Sequence, residues 1–303
     1  MKKLYALIFL IFLACGFCFA QFKISSETGY ISTDVKEILW NKTGKDAQIT
    51  SLLDWQTYIA PAANVDFEYK FAHHFLFGAG CFYTSPFICG TMEDSDYMNV
   101  FTTGSKERTH YSKHDNKLDI YFSTNAFLGA GWKLFEQLDL SAIISYKYTY
   151  YSFTAWNGYK QYGSNPKTLM EGKIITFEAE KNYLGVGIRA EYSPTHNLSF
   201  TLILNVLPTI FCKAFDTHFK RSTPYTYFDL KNELAFDSSL LLEYRVRKNL
   251  ALSAGFGLFV SSVKNGTILQ SSNKKEWEKA SNPSGIKECT GKFLLGFTFV
   301  YEK

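Results

Sequence analysis

The chain has 303 residues, a formal net charge of +4 at pH 7 and an aromatic content of 17%, with only 7 prolines. So small a positive excess does not favour nucleic acid as a partner. After residue 20 no uninterrupted apolar segment approaches the length of a membrane-spanning helix, so a mature membrane protein would have to be a closed β-barrel.

The first 20 residues are predicted to form a secretory signal peptide. Residues 1–3 carry two lysines, residues 4–19 are almost uniformly apolar, and Ala20 is a small residue suited to cleavage. Lipidation of Cys15 is a weaker alternative, because the polar tether that should follow such a cysteine is missing. We therefore predict cleavage after Ala20, which removes both lysines and lowers the formal charge from +4 to +2.

The mature chain, residues 21–303, is predicted to be one domain. It contains no linker, charge block or low-complexity tract that would divide it. Its cysteines are Cys81, Cys89, Cys212 and Cys289. They form no C-x-x-C pair and have no adjacent histidine at zinc-ligand spacing, so no metal site is predicted. A Cys81–Cys89 disulfide and unpaired cysteines both remain open in an exported protein.

Long alternating segments predict β-strands that each have one apolar face. Between Asn249 and Ser262 one face is almost entirely leucine, phenylalanine and valine, while the other is mainly small or polar. The segment from Asn197 to Leu207 repeats this pattern. A soluble β-sandwich has the same period, but strand length, aromatic content and the signal peptide favour an outer-membrane barrel with apolar residues outside.

Turn chemistry predicts short connections at one rim and long loops at the other. The short reversals lie at residues 71–74, 135–137, 194–197 and 247–249. The longer polar stretches lie at residues 41–46, 86–116, 157–172, 217–224 and 267–286. The predicted fold is therefore all-β, a single-chain antiparallel transmembrane barrel of about ten strands with short periplasmic turns and long extracellular loops.

Asp216 and His218 lie two residues apart in the segment FDTH, so in a strand their side chains share one face. A regular alternation from Leu198 would direct both toward lipid, which is costly for ionisable groups. We therefore predict a one-residue bulge at Pro208 that exchanges the two faces. The aromatic residues predicted to face outward after this bulge are Phe211, Phe215 and Phe219.

A second acidic pair, Asp94 and Asp96, has the same spacing in the segment GTMEDSDYMN, which we interpret as a loop. Solvated acids are common in loops, and a single D-x-D or D-x-H is more often structural than catalytic. Both pairs are predicted near the long-loop rim, where strands distant in sequence can face each other across the mouth of a barrel. Together they form a candidate catalytic site.

Four segments, in order, resemble the omptin family of outer-membrane endopeptidases. The segment from Ser32 to Trp55 is similar to the first hairpin of that family. GTMEDSDYM matches the G-x-M-x-D-x-D-aromatic-M signature, with Tyr97 where tryptophan is usual. The strand end Tyr151 to Tyr162 contains Y-S-F-T-A, and FDTH supplies the D-x-H. The resemblance runs along nearly all of the mature chain.

The resemblance implies a narrow ten-stranded barrel with an aspartyl-type proteolytic groove at its extracellular mouth. In this family's pattern Asp216 orients His218, which takes a proton from a water held opposite Asp94 and Asp96. That water attacks the scissile carbonyl directly, so neither an acyl-enzyme nor a metal or cofactor is implied. The expected partners are peptide or protein substrates and membrane lipid.

Three positions bear on specificity and on lipid binding. Glu37 matches an acid that binds a basic substrate residue in the family, although a solvated rim glutamate is the alternative reading. Ala214 stands where the family has a second pocket acid, which puts a dibasic preference in doubt. Tyr150 stands where the family has an arginine that binds lipopolysaccharide, so the usual lipid activator is also in question.

Two other functions remain open. A catalytically silent omptin-like barrel could act as an adhesin or structural surface protein, and a porin is the third reading, although a ten-stranded barrel filled with side chains leaves little channel. The histidines outside the D-x-H pair are predicted to be exposed polar residues, and an approach of His114 to the groove is the alternative. They are His73, His74, His110, His114 and His196.

Overall fold

The computed structural model describes residues 21–71, 74–230, 234–262 and 266–302. The predicted signal peptide, residues 1–20, and His73 lie outside the described residues. Nearly all of the described chain is β-strand, with one short 3-10 helix at Met98–Val100. Within those ranges, no helix has the length and apolar character needed to cross a membrane.

The described strands range from 2 to 26 residues in length. In chain order they are β1 (Gln21–Trp40), β2 (Ile49–Phe71), β3 (Phe75–Thr84), β4 (Phe87–Asp96), β5 (His110–Phe135), β6 (Leu138–Tyr162), β7 (Thr168–Leu169), β8 (Lys173–Thr195), β9 (Leu198–His218), β10 (Tyr225–Leu230), β11 (Leu234–Arg247), β12 (Leu250–Ser262), β13 (Gly266–Ser271) and β14 (Glu278–Glu302).

All strand pairs are antiparallel, and the sheet closes on itself because β1 pairs with both β2 and β14. Three pairs of strands share one position each around the barrel. These are β3 with β4, β10 with β11, and β12 with β13. Strand β7 adds only a short ladder to β6. The described strands thus occupy ten positions, which confirms the predicted all-β barrel and agrees with its predicted strand number.

Three of the short turns predicted from the sequence are confirmed, where β5 meets β6, β8 meets β9, and β11 meets β12. The fourth, between β2 and β3, falls partly outside the described residues. At the opposite rim the prediction of long loops is wrong in part. Most of residues 86–116 belongs to β4 and β5, so Asp94 and Asp96 lie on a strand. Polar residues on both faces made this extension of the sheet look like a loop.

Apolar side chains on the outside of the barrel form a belt. On β9 the exposed residues include Leu202, Leu204, Val206 and Ile210. On β1 the belt includes Ile24 and Tyr30, above which the outward side chains become Ser32, Asp34 and Lys36. Glu37 lies seven residues beyond Tyr30, or ~23 Å along the strand at ~3.3 Å per residue. The belt suits lipid, whereas the upper part of the barrel projects into water.

Paired charges occupy the lumen from the level of the belt to just below the candidate site. Lys181 Nζ lies 3.0 Å from Glu288 Oε2, and both side chains are fully buried. The hydroxyl of Tyr121 donates to the other carboxylate oxygen of Glu288 at 3.0 Å. Lower in the barrel, Arg189 binds Glu68 at 2.9 Å. A buried charge is tolerated only when it is paired and hydrogen-bonded, and these pairs meet that condition.

The predicted exchange of faces on β9 is present, but its predicted position at Pro208 is wrong. The described pairs of β9 with β10 and β11 keep one register past Pro208. Against β8, Tyr183 pairs with Thr209 while Asn182 pairs with Phe211, so Ile210 is the inserted residue. A proline removes one ladder donor without requiring a register shift, whereas an inserted residue exchanges the faces.

None of the four cysteines in the described part of the chain forms a disulfide. Cys81 is exposed on β3 and Cys89 is partly exposed on β4, while Cys212 is buried. Of the alternatives left open by the sequence, the structure therefore does not have the Cys81–Cys89 disulfide.

Candidate active site

One wall of the candidate site is formed where β1, β2 and β4 lie side by side. Leu53 of β2 pairs with Glu37 of β1 on one side and with Asp94 of β4 on the other. Asp96 follows two residues later and shares a face with Asp94, because side chains alternate along a strand. Glu37 and Asp94 are buried, whereas Asp96 is only partly so. This wall is acidic.

The opposite wall is the upper end of β9. His218 Nε2 lies 2.6 Å from Asp216 Oδ2, and both side chains are buried. Because an ionised carboxylate only accepts hydrogen bonds, Nε2 carries the proton in this pair, which leaves Nδ1 as the nitrogen that can accept one. The backbone of His218 is held by a bond from its N–H to the carbonyl of Pro224 at 2.7 Å. The inserted Ile210 gives this pair its inward direction.

The two walls share one cavity of about 310 Å³. Asp94, Asp96 and His218 all line it, and Asp216 supports His218 from behind. The structure thus brings together the two acidic segments that lie more than a hundred residues apart in the chain. Asp94 Oδ1 and Asp216 Oδ1 are buried without a hydrogen-bond partner among the described residues. Acceptors of this kind suit a water or a substrate N–H.

Burial and the neighbouring Asp96 carboxylate raise the pKa of Asp94 to about 6, against the opposing effects of Arg221 and His218. Asp94 therefore exchanges a proton near neutral pH. A carboxyl group with such a pKa can hold a proton beside an ionised partner and can give it up during a reaction. The Asp94–Asp96 pair is suited to shared protonation, as expected for two close acids.

Glu37 is buried on the same wall as Asp94, so its alternative reading as a solvated rim residue is wrong. Trp55 Nε1 donates to Glu37 Oε1 at 2.8 Å. The indole of Trp55 stacks on Phe153 and Phe177, with ring centroids 5.7 and 6.0 Å apart. Burial and the negative charge of Asp216 raise the pKa of Glu37 well above its usual range. A cation that entered the site would favour its ionised form.

Ala214 is buried in the apolar cluster below the site and lies opposite Ala179 in the ladder to β8. It supplies no charge at the position where the sequence comparison expects a second acid. Tyr150 faces the outside of the barrel, and its hydroxyl donates to Glu178 at 3.3 Å. Neither of these two differences from the family pattern changes the Asp216–His218 pair or the Asp94–Asp96 pair.

Two residues of the site were not identified by sequence reasoning. His114 was predicted to be exposed, but only 2% of it is accessible, and it lines the cavity. Ser112 lies 2.8 Å from His114 Nε2, and the carbonyl of Asn157 accepts from the other ring nitrogen. Burial lowers the pKa of His114, which keeps the ring neutral. Its alternation with the buried Asn116 was the available signal.

The second unidentified residue is Arg221, in the turn after β9. Its Nη2 atom lies 3.0 Å from Asp94 Oδ2 and 4.0 Å from Asp96 Oδ2.

The remaining predictions for histidines are mixed. His74 and His196 are exposed as predicted, whereas His110 packs its ring against Tyr162. Within the described ranges, no group of three or more histidine, cysteine, aspartate or glutamate side chains has the arrangement of a metal site.

Comparison with known proteins gives one family and several solved barrels. The model of the omptin family matches residues 18–301. The crystal structure of the outer membrane protease OmpT from Escherichia coli has a TM-score of 0.82 and 17% identity, covering 93% of this chain and 97% of that one. OprG from Pseudomonas aeruginosa reaches a TM-score of only 0.35 at 9% identity, covering 94% and 97%. No curated protein matches by sequence.

Proposed function

Because the chain belongs to the omptin family of outer-membrane proteases, we propose that it is an endopeptidase in which His218 activates a water against a peptide carbonyl. The observation that carries this proposal is the single cavity lined by Asp94, Asp96 and His218. The barrel is an outer-membrane protein, and the cavity lies at the end of the barrel beyond the apolar belt. Its opening faces the extracellular side, in agreement with the family.

In the proposed mechanism, the neutral His218 imidazole accepts a proton from the attacking water through Nδ1. Asp216 accepts from Nε2–H at 2.6 Å, which fixes the ring and stabilises the imidazolium that forms. The buried Oδ1 atom of Asp94 faces the same reaction from the other wall. With a pKa of about 6, Asp94 can be protonated and can donate to the carbonyl oxygen or to the departing amine.

The acidic lining favours a substrate with a basic residue beside the scissile bond. Glu37 and Asp94 are buried carboxyl groups that can pair with an arginine or lysine, and such charge-assisted pairs are stronger than neutral hydrogen bonds. Ala214 removes one acid from this environment. We therefore propose a preference for basic residues that is weaker than a site with two pocket acids would give.

The test is cleavage of a peptide library by the refolded, detergent-solubilised barrel, with products identified by mass spectrometry. Replacing a positioned general base costs ~10²–10⁴-fold in rate, so His218→Ala should lose activity by that factor. His196→Ala changes an exposed histidine in a turn at the opposite rim and is the matched control. Equal turnover by His218→Ala and the unmutated protein would remove the mechanism.

The silent surface barrel is the second candidate, because Ala214 and Tyr150 depart from the family pattern. The same assay separates the two functions. Cleavage that disappears with His218→Ala supports the enzyme, whereas the absence of any cleavage supports the silent barrel. Adding or omitting lipopolysaccharide in parallel tests the lipid partner, which stays a prediction.

A further inference from the structure

Arg221 connects the two walls of the cavity. It lies three residues after His218, and the turn is fixed by a backbone bond from the Arg221 N–H to the His218 carbonyl at 3.3 Å. From this turn the guanidinium crosses to the acidic wall, where Nη2 lies 3.0 Å from Asp94 Oδ2. The chain therefore directs one of its own arginines to an acid of the proposed reaction centre.

The neighbouring charges explain why a cation is held there. Asp96 Oδ2 lies 4.0 Å from the same nitrogen, and the negative charges of Asp216 and Asp94 act together on the buried Glu37. The other basic side chains that line the cavity are Lys160 and Lys220, beside the imidazoles of His110, His114 and His218. Among the described residues, Arg221 alone forms an ion pair with Asp94. It lowers the pKa of Asp94, so the interaction affects the acid directly.

The ion pair between Arg221 and Asp94 can be replaced by another cation at little cost. The side chain of Arg221 is 50% exposed, whereas that of Asp94 is 10% exposed. Ion pairs with an exposed partner contribute little net stability, because water solvates the charge almost as well. A basic side chain from a peptide could therefore replace the guanidinium of Arg221 at Asp94, with one charged pair exchanged for another. A small neutral side chain would leave Arg221 in its position.

We propose that Arg221 is a specificity-determining residue, an internal cation that the basic residue of a peptide must displace from Asp94 before it can bind there. This inference rests on the proposed peptidase function and goes further by naming the competitor for the basic side chain. Asp94 accepts from Arg221 through Oδ2 and keeps Oδ1, which has no hydrogen-bond partner among the described residues, for the reaction.

The experiment compares two peptides that differ only in arginine or alanine at the residue before the cleaved bond. With Arg221→Gln, KM for the arginine peptide should fall by about two- to fivefold, the range expected for loss of a competing half-exposed ion pair. KM for the alanine peptide should change by less than about twofold, since alanine does not reach the carboxylate. An unchanged KM for the arginine peptide would overturn the proposal.

Two further variants separate occupancy of Asp94 from simple loss of positive charge. Arg221→Lys retains a cation at the same position and should keep KM for the arginine peptide within about twofold of the original value. Lys220→Gln removes one charge from the same turn, where Lys220 is exposed and forms no described ion pair with Asp94. If Lys220→Gln lowers KM as much as Arg221→Gln, long-range electrostatics explains the effect and the inference is wrong. Far-ultraviolet circular dichroism confirms that each barrel is folded.

A binding measurement distinguishes failure of this inference from failure of the peptidase proposal. In the His218→Ala background, fluorescence anisotropy of the labelled arginine peptide reports affinity without turnover. Addition of Arg221→Gln should tighten this binding by the same factor of about two to five. Tighter binding supports displacement even if no variant cleaves peptides, whereas equal binding contradicts it.

Discussion

The lower and upper halves of the barrel hold buried charge in different arrangements. Within the membrane belt, Arg189 meets Glu68 and Glu191 at 2.9 Å. Above the belt, Glu37 lies against stacked aromatic rings, and burial and the charges of Asp216 and Asp94 raise its pKa. Paired charges support the fold, whereas acids held close together at raised pKa values are typical of a functional site. The cluster of acids around His218 therefore identifies the working end of the molecule.

The largest expected effect falls on activity in the upper half. Asp94→Asn keeps the size of the side chain but removes its ability to titrate, so peptide cleavage should fall by about 10²-fold or more. Because the native acid is destabilised by burial, the free energy of unfolding should stay unchanged or increase. Kinetics and urea unfolding on the same preparation measure both. A loss of stability comparable to the loss of activity would contradict the contrast between the halves.

The next effect falls on stability, at a charge pair just below the candidate site. Lys181→Met leaves Glu288 with an uncompensated buried charge, which typically costs about 3–5 kcal/mol of unfolding free energy. The double variant Lys181→Met with Glu288→Gln removes both charges and should recover most of that loss. Urea titration of barrel unfolding measures the difference. If the double variant is no more stable than the single one, the pair is not the source of the stability.

A smaller effect on peptide binding is expected for Glu37→Gln. The glutamine amide has nearly the same shape as the neutral glutamic acid that it replaces. Glu37→Gln should leave stability almost unchanged, because burial and the neighbouring acids raise the pKa of Glu37 and already disfavour its ionised form. It should raise KM for the arginine peptide by about tenfold and leave the alanine peptide unchanged, in line with the loss of one charge-assisted bond. An equal effect on both peptides would show that Glu37 acts through the packing of the site and not through its charge.

The smallest effect concerns pH. The pKa of Asp94 is raised from 3.8 to about 6, so the folded protein binds more protons than the unfolded chain between these values. Stability should therefore decrease as pH rises through this window, by roughly 1–2 kcal/mol after allowance for its partners. The Asp94→Asn barrel should show a shallower dependence from pH 4 to pH 6. Identical slopes for the two proteins would contradict the shift.

Alternation along the strands was enough to predict much of the fold. The apolar face of the segment that became β12 is exposed to lipid as expected, and its small and polar residues face the lumen. Above the membrane this signal weakens, because outward residues such as Asp34 and Lys36 are polar too. The strand carrying Asp94 was therefore interpreted as a loop.

The details of the site were less accessible from sequence for related reasons. The alternation of β9 gave the need for a face exchange, but the inserted residue depends on pairing with β8, so the predicted position at Pro208 was wrong. The burial of Glu37 depends on Trp55 from the neighbouring strand. In these two cases a contact between different strands decides the outcome. The direction of Arg221 depends instead on the geometry of one local turn, which composition does not encode.

Ile210 has a consequence for how this barrel can change by mutation. Side chains alternate between the two faces of a strand. Whether the number of residues between the membrane belt and the reaction centre is odd or even therefore decides which face the catalytic residues occupy. Deleting a single residue next to Thr209 would keep both members of the Asp216–His218 pair in the chain while turning them toward the surroundings. An omptin could thus lose its activity through a one-residue deletion that exchanges the faces of this strand, although every signature residue is still present in its sequence.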